Sequence, residues 1–267
     1  MTAYAEMKAD RPASGDVLIR MQDVWKNFDG LEVLRGVTLA VERGETIVII
    51  GESGCGKSVT LKLIIGILKP DRGRVVFDHL DMSGMSDTDL ATVSRRFGMV
   101  FQGSALFDSL TVRENVAFGL QRHTNYSEEK ANRIVTEKLR LVGLSGVEDK
   151  LPGELSGGMK KRVAIARATA LDPEVMLYDE PTTGLDPIMA DVVNELILRV
   201  QKNERTTSVV VTHDMKSAYK IGTHIAMLYH GRIIQVGTPA EIQNTANPVV
   251  AQFIHGEARE RIEESLT

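Results

Sequence analysis

At 267 residues, with 43% apolar residues and charges of both signs dispersed along it, the chain has material for one large core or a core with an appended subdomain. A formal net charge of −4 and the lack of a basic cluster argue against nucleic acid as a partner. A single cysteine excludes an intrachain disulfide and a cysteine-based metal cluster, no apolar run approaches the roughly 18 to 20 residues of a membrane span, and residues 1–16 lack the apolar centre of a secretory signal, so a cytosolic chain is expected.

Val17 to Phe28 and Leu34 to Val41 alternate apolar with polar residues around the turn-forming Asp29-Gly30, which predicts an antiparallel β edge. Thr46–Ile50 reads as a short strand feeding a glycine-rich loop. Val59 to Leu68 then repeats apolar residues at helical spacing until Pro70 and Gly73. Val75–Phe77 and Phe97–Phe101 are further strands, and Thr111 to Leu144 reads as helices with polar faces. A helix is expected from Gly158 through Leu171, a strand at Val175–Tyr178, a helix from Ala190 to Gln201 and a strand at Ser208–Val211. Short buried strands alternating with helices predict an α/β fold with a mainly parallel sheet covered on both faces and a helical insert.

The run Gly51-Glu52-Ser53-Gly54-Cys55-Gly56-Lys57-Ser58, followed by Val59, fits the P-loop pattern of nucleotide-binding proteins. Its glycines let consecutive backbone N–H groups curl around phosphate oxygens at a helix N-terminus. Lys57 would neutralise the β and γ phosphates of ATP, and Ser58 would ligate Mg²⁺. Cys55 sits where the helix N-terminus would lower a thiol pKa; it is either a tolerated small residue or a thiol beside the phosphates. At the end of a buried strand, Asp179 and Glu180 either mark the strand's end or supply chemistry, Asp179 holding the metal and Glu180 polarising the attacking water.

Leu155-Ser156-Gly157-Gly158-Met159 resembles the signature peculiar to ABC ATPases, and with it the chain is identified as a member of that superfamily. The resemblance implies a P-loop NTPase core, ATP hydrolysis, and a second anion-recognising surface at Ser156, Gly157 and Gly158 that closes over ATP held by the opposite protomer of a homodimer. Gln102, in Val100-Phe-Gln102, is similar to the glutamine that senses Mg²⁺ and the γ-phosphate. Asp186, in Gly184-Leu185-Asp186, is similar to the loop that crosses the dimer interface. His213, in Val211-Thr-His213-Asp214, resembles the histidine that contacts the γ-phosphate. Phe28 matches the aromatic residue on which adenine stacks, with Trp25 the competing candidate.

One cassette per chain and no sustained heptads set this sequence apart from soluble ABC switch proteins of translation and repair, and kinases and GTPases lack the signature. A transporter motor is therefore expected, held at the cytoplasmic face of the inner membrane by an integral membrane permease. Gly103 to Val116 and Pro248 to Gly256 resemble ATPases of the Mla (maintenance of lipid asymmetry) type, which implies phospholipid as cargo and an MCE-domain lipid-binding protein as a further partner; an importer of amino acids or other small solutes is the alternative. The implied division is a tail at 1–16, an ATP-binding core at 17–98 and 160–240, a helical subdomain with the signature at 99–159, and a C-terminal extension at 241–267. Leu106, Phe107 and Leu110 either line a groove for a permease helix or belong to the subdomain's core.

Overall fold

The protein is described here by a computed structural model covering residues 16–256. Thr46–Ile50, a run of β-branched residues, forms strand β3 with all five side chains buried. Such a strand has no polar face to turn to water, so it belongs inside a parallel sheet covered on both sides. It pairs in parallel with β8 (Thr207–Thr212) on one flank and β9 (His224–Tyr229) on the other. Beyond β8 lie β7 (Val175–Asp179) and β6 (Phe97–Val100), both parallel, and β10 (Arg232–Gly237) closes the opposite edge antiparallel to β9.

The two-residue alternation of these strands separates two cores. Val48, Ile50, Met176, Tyr178 and Val210 point to one face of the sheet, where α3 (Val112–His123), α4 (Glu128–Leu141), α5 (Gly157–Thr169), α6 (Pro187–Glu204) and α7 (Met215–Ile221) cover them. Ile47, Ile49, Leu177, Val209 and Val211 point to the other face, against α1 (Lys57–Ile64) and a second sheet. That second sheet has the order β2-β1-β4-β5 among the described residues, all pairs antiparallel: β1 is Val17–Phe28, β2 Leu31–Glu42, β4 Arg72–Phe77 and β5 Leu80–Asp81. The antiparallel edge expected from the alternation is thus a separate sheet, and it shares its core with the parallel one.

An ionic cluster ties the two sheets. The guanidinium of Arg96 forks onto Glu174 at 2.5 and 2.8 Å and reaches Asp78 at 2.5 Å, while Arg43 bonds Asp16, Asp78 and Glu174. These bonds draw Asp78 and Glu174 below the usual carboxylate range.

Helix boundaries follow their caps. Thr111 closes a capping box with Glu114 at α3, Ser127 caps α4, and Asp186 caps α6 with Pro187 in its first turn. The last of these starts α6 three residues before the expected Ala190. The glycine-loop helix begins at Lys57 and ends at Ile64, short of the expected Leu68, where Gly66 turns the chain at φ +82°. Elements that the sequence pattern did not supply are α2 (Asp87–Val93), α7, the β9–β10 hairpin, α8 (Pro239–Gln243) and α9 (Pro248–His255). The hairpin turns through His230 and Gly231, both at positive φ, as a two-residue hairpin turn requires. No described helix is long and apolar enough to cross a membrane.

Candidate functional site

A cavity of about 1020 Å³ opens at the carboxyl ends of β3, β7 and β8, the place where parallel α/β sheets present their loops. Glu52, Ser53, Gly54, Gly56, Lys57, Ser58 and Val59 form its floor, with Gln102, Glu180 and His213 on one side. Val33, Met227, Tyr229, His230 and the α9 residues Val249, Gln252 and Phe253 line the rest.

The loop holds its course because two of its glycines have no room for a side chain. A Cβ on Gly51 would lie 2.3 Å from the Leu228 backbone oxygen, and one on Gly56 2.6 Å from Leu34. Gly54 has open space but a φ of +80°, which disfavours any other residue. The turn delivers Lys57 and Ser58 to the start of α1, where free backbone N–H groups and the helix dipole favour an anion. The buried Lys57 ammonium donates to the carbonyls of Gly51 at 2.8 Å and Glu52 at 2.9 Å and lies 3.8 Å from Glu180.

The Ser58 hydroxyl donates to Asp179 at 2.8 Å, and burial raises the Asp179 carboxyl above its ordinary pKa against the opposing pull of that bond. A hydroxyl and a carboxylate so placed are the hard oxygen donors that suit Mg²⁺, and a cation there would favour the charged form that burial disfavours. Ser58 and Asp179 therefore fit the ion; Gln102 reaches the same cavity from the loop after β6.

Glu180 follows β7 in a left-handed conformation, φ +47°, a backbone state that costs a non-glycine residue about 1–2 kcal/mol. Its N–H donates to Val211 at 2.9 Å and its carbonyl accepts from Thr183, which pins the residue in place. Its carboxylate accepts from Thr183 Oγ1 at 3.1 Å and Thr212 Oγ1 at 3.4 Å, and lies 2.9 Å from His213 Nδ1. A nearly buried acid aimed into a cavity beside a lysine and a histidine can take a proton from a water.

The remaining expected residues fall elsewhere. Ser156 caps α5 through Met159, and Ser156 and Gly157 are exposed. Gly158 is pressed on Met189, where a Cβ would lie 2.6 Å from its Cε. Asp186 caps α6 next to them, so the signature and the Asp186 loop form one surface that does not line the cavity. Phe28 is 40% exposed at the end of β1 and also outside the cavity lining, with Lys26 5.5 Å from its ring. The competing Trp25 lies between Arg72 and Arg232 and donates to Asp23 at 3.0 Å.

One expectation is corrected. The Cys55 thiol packs with the core beneath the loop and does not line the cavity; burial raises its pKa, overriding the nearby Lys57 charge and the helix start that were expected to lower it. Of the two readings open for Leu106, Phe107 and Leu110, neither holds for all three: Leu106 packs on the core, Leu110 is half-buried, and the exposed Phe107 lies tilted against Phe118 at a 4.5 Å centroid distance.

Thr183 and Thr212, which orient Glu180, were not singled out from sequence, although each adjoins a motif that was. Lys161 was missed altogether. It is buried, and its ammonium donates to the carbonyls of Gln102 and Glu180; burial lowers its pKa against the opposing charges of Asp179 and Glu180. A lysine within the apolar face of α5 was the available signal.

A family model described as ABC transporter matches residues 34–183. The chain is 43% identical over 258 residues to the protein trigalactosyldiacylglycerol 3, chloroplastic, of Arabidopsis thaliana, covering 90% of this chain and 74% of the relative. It is 40% identical to an intermembrane phospholipid transport system ATP-binding protein of Haemophilus influenzae, covering 83% and 84% of the two chains. Relatives named for ribonucleotide, sulfate/thiosulfate or betaine transport match at 39–40% identity. Among solved structures, a dimeric post-hydrolysis state of an ATP-binding cassette bound to ADP and Pi superposes with a TM-score of 0.78 at 32% identity, covering 83% of this chain and 99% of that one.

Proposed function

The chain belongs to the ABC transporter family as an ATP-hydrolysing subunit, and from that premise we propose that it powers the movement of phospholipid between membranes. The observation that carries the site assignment is the convergence of Lys57, Ser58, Glu180 and His213 on one cavity, with Asp179 bonded to Ser58 behind them, while the signature residues of the same chain do not line it. An exposed helix start with no role in its own cavity is supplied to the cavity of a second copy. Two chains then hold ATP between each glycine loop and the partner's signature.

Within each site the loop N–H groups and Lys57 hold the phosphates, while Ser58 and Asp179, with Gln102, hold Mg²⁺. The metal, when bound, neutralises phosphate charge that Lys57 alone cannot offset. Glu180 takes the proton of the attacking water, and His213, Thr183 and Thr212 fix the direction of its carboxylate. Residues 17–98 and 160–240 form the ATP-binding core and 99–159 the helical subdomain, with Asp186 at the dimer seam and Phe28 beside the adenine. Differential affinity of ATP for the closed dimer drives closure, and hydrolysis releases it.

The phospholipid reading rests on the Arabidopsis and Haemophilus relatives, whose names carry a galactolipid and a phospholipid. It places the chain at the cytoplasmic face of the inner membrane, bound to integral permease subunits and acting with an MCE-domain lipid-binding protein. The relatives named for small solutes favour an importer as the second reading. Isolation of the tagged chain from its native membranes and identification of the co-purifying subunits decides between them: an MCE-domain protein is expected, and a solute receptor in its place overturns the lipid assignment.

A further inference from the structure

Helix α5 does more than present its N-terminus. Lys161 lies five residues into it, 6% exposed, and its ammonium donates to the main-chain carbonyl of Gln102 and, at 3.5 Å, to that of Glu180. Six residues later on the same helix, the Arg167 guanidinium donates to the carbonyls of Ala105 at 2.6 Å and Ser104 at 2.9 Å. Ser104 and Ala105 are both left-handed, φ +64° and +47°, so this loop sits in a conformation that it does not favour by itself. Two cations on α5 therefore hold the loop that carries Gln102, and one of them also holds the backbone of Glu180.

Stability alone does not call for this arrangement. A buried ammonium carries a desolvation penalty, and a methionine fills nearly the same space without one. What methionine lacks is the donor that joins two carbonyls from different segments to a third. Ser156 stands at the other end of the same first turns of α5, so displacement of this helix end moves the Gln102 and Glu180 backbones together.

Resting on the ATPase reading above, we propose that Lys161 is a positioning residue for hydrolysis: it fixes the Gln102 loop and Glu180 in one register and passes movement of the signature end of α5 to both.

The test uses the full chain carrying Lys161→Met, which removes the donor, and Lys161→Gln, which keeps a shorter one. Affinity for a fluorescent ATP analogue, KM and kcat for phosphate release, and thermal midpoint are measured against an active wild type. Misplacement of a catalytic group by about 1 Å costs on the order of a hundredfold, so Lys161→Met should lower kcat by at least about tenfold, with affinity and KM within about twofold and the midpoint not lowered. Lys161→Gln should fall between Met and wild type. Unchanged kcat in a folded Lys161→Met chain overturns the proposal, as does a loss of kcat that comes with an equal loss of affinity and a lowered midpoint. Should Lys161→Met fail to fold, Lys161→Gln decides: reduced kcat at unchanged KM supports positioning, and unchanged kcat overturns it. A wild type that binds ATP without hydrolysing it would instead count against the ATPase reading.

Discussion

Replacing Glu180 with Gln is the perturbation with the most to say about the site. The amide oxygen can still accept from His213 Nδ1, 2.9 Å away, and from Thr183 at 3.1 Å. The amide nitrogen then faces Lys57, 3.8 Å from the present carboxylate, whose ammonium keeps its bonds to Gly51 and Glu52. One new buried donor without a partner costs about 1–3 kcal/mol, a drop of only a few degrees in thermal midpoint for a chain of this size. The chemistry loses far more. A positioned general base contributes about 10²–10⁴ in rate, and at 1.36 kcal/mol per tenfold this raises the barrier by about 2.7–5.4 kcal/mol. Glu180→Gln should therefore bind a fluorescent ATP analogue as wild type does, accumulate as a dimer with ATP in size-exclusion chromatography, and release phosphate at no more than about one hundredth of the wild-type rate. Turnover within a few-fold of wild type would refute Glu180 as the base, whatever its geometry.

Gly51→Ala places a methyl 2.3 Å from a backbone oxygen of the neighbouring strand, so relief requires a main-chain shift; a loss of about 3 kcal/mol is expected, against about 1–2 kcal/mol for Gly54→Ala, and equal denaturant midpoints for the two would contradict the packing argument. Lys57→Ala should lose ATP binding and Ser156→Ala should bind without hydrolysis; mixing the two should restore one composite site, and a mixture as inactive as its parts would count against sharing between copies. Arg96 draws the carboxyl groups of Glu174 and Asp78 below 4.5 and 3.8, so the stability they contribute is fully present above those values and is lost as pH falls through the lower folded-state values. In Glu174→Gln the chain should be less stable at neutral pH and lose less between pH 7 and acid, read as urea midpoints at several pH values, with an unchanged pH slope as the contrary result. A maleimide should label Cys55 slowly and at the same rate with or without ATP, because the thiol packs under the loop; strong protection by ATP would restore the idea of a thiol beside the phosphates.

The sequence by itself determined the β3–loop–α1 unit, because its signals are local. Five β-branched residues can only be a buried strand, and Gly51, Gly54 and Gly56 stand where no side chain fits or where φ is positive. The same holds for Asp179 and Glu180 at a strand end, marked by residue type and by position after an apolar run, whereas the roles of Ser156 and Asp186 as helix caps came from the structure. The tertiary structure alone decided which of these residues meet. Glu180, Thr183, Thr212 and His213 come from the carboxyl ends of β7 and β8 and the turns after them, brought side by side by the pairing of the two strands, and Lys161 reaches Gln102 across 59 positions. Cys55 shows the limit most directly: its neighbours in sequence predict a lowered pKa, yet packing against the core shared by the two sheets partly buries the thiol and raises it. Local spacing fixes which way a side chain leaves the backbone; desolvation and contact depend on what the rest of the chain places opposite, and for Cys55 that second influence is the larger.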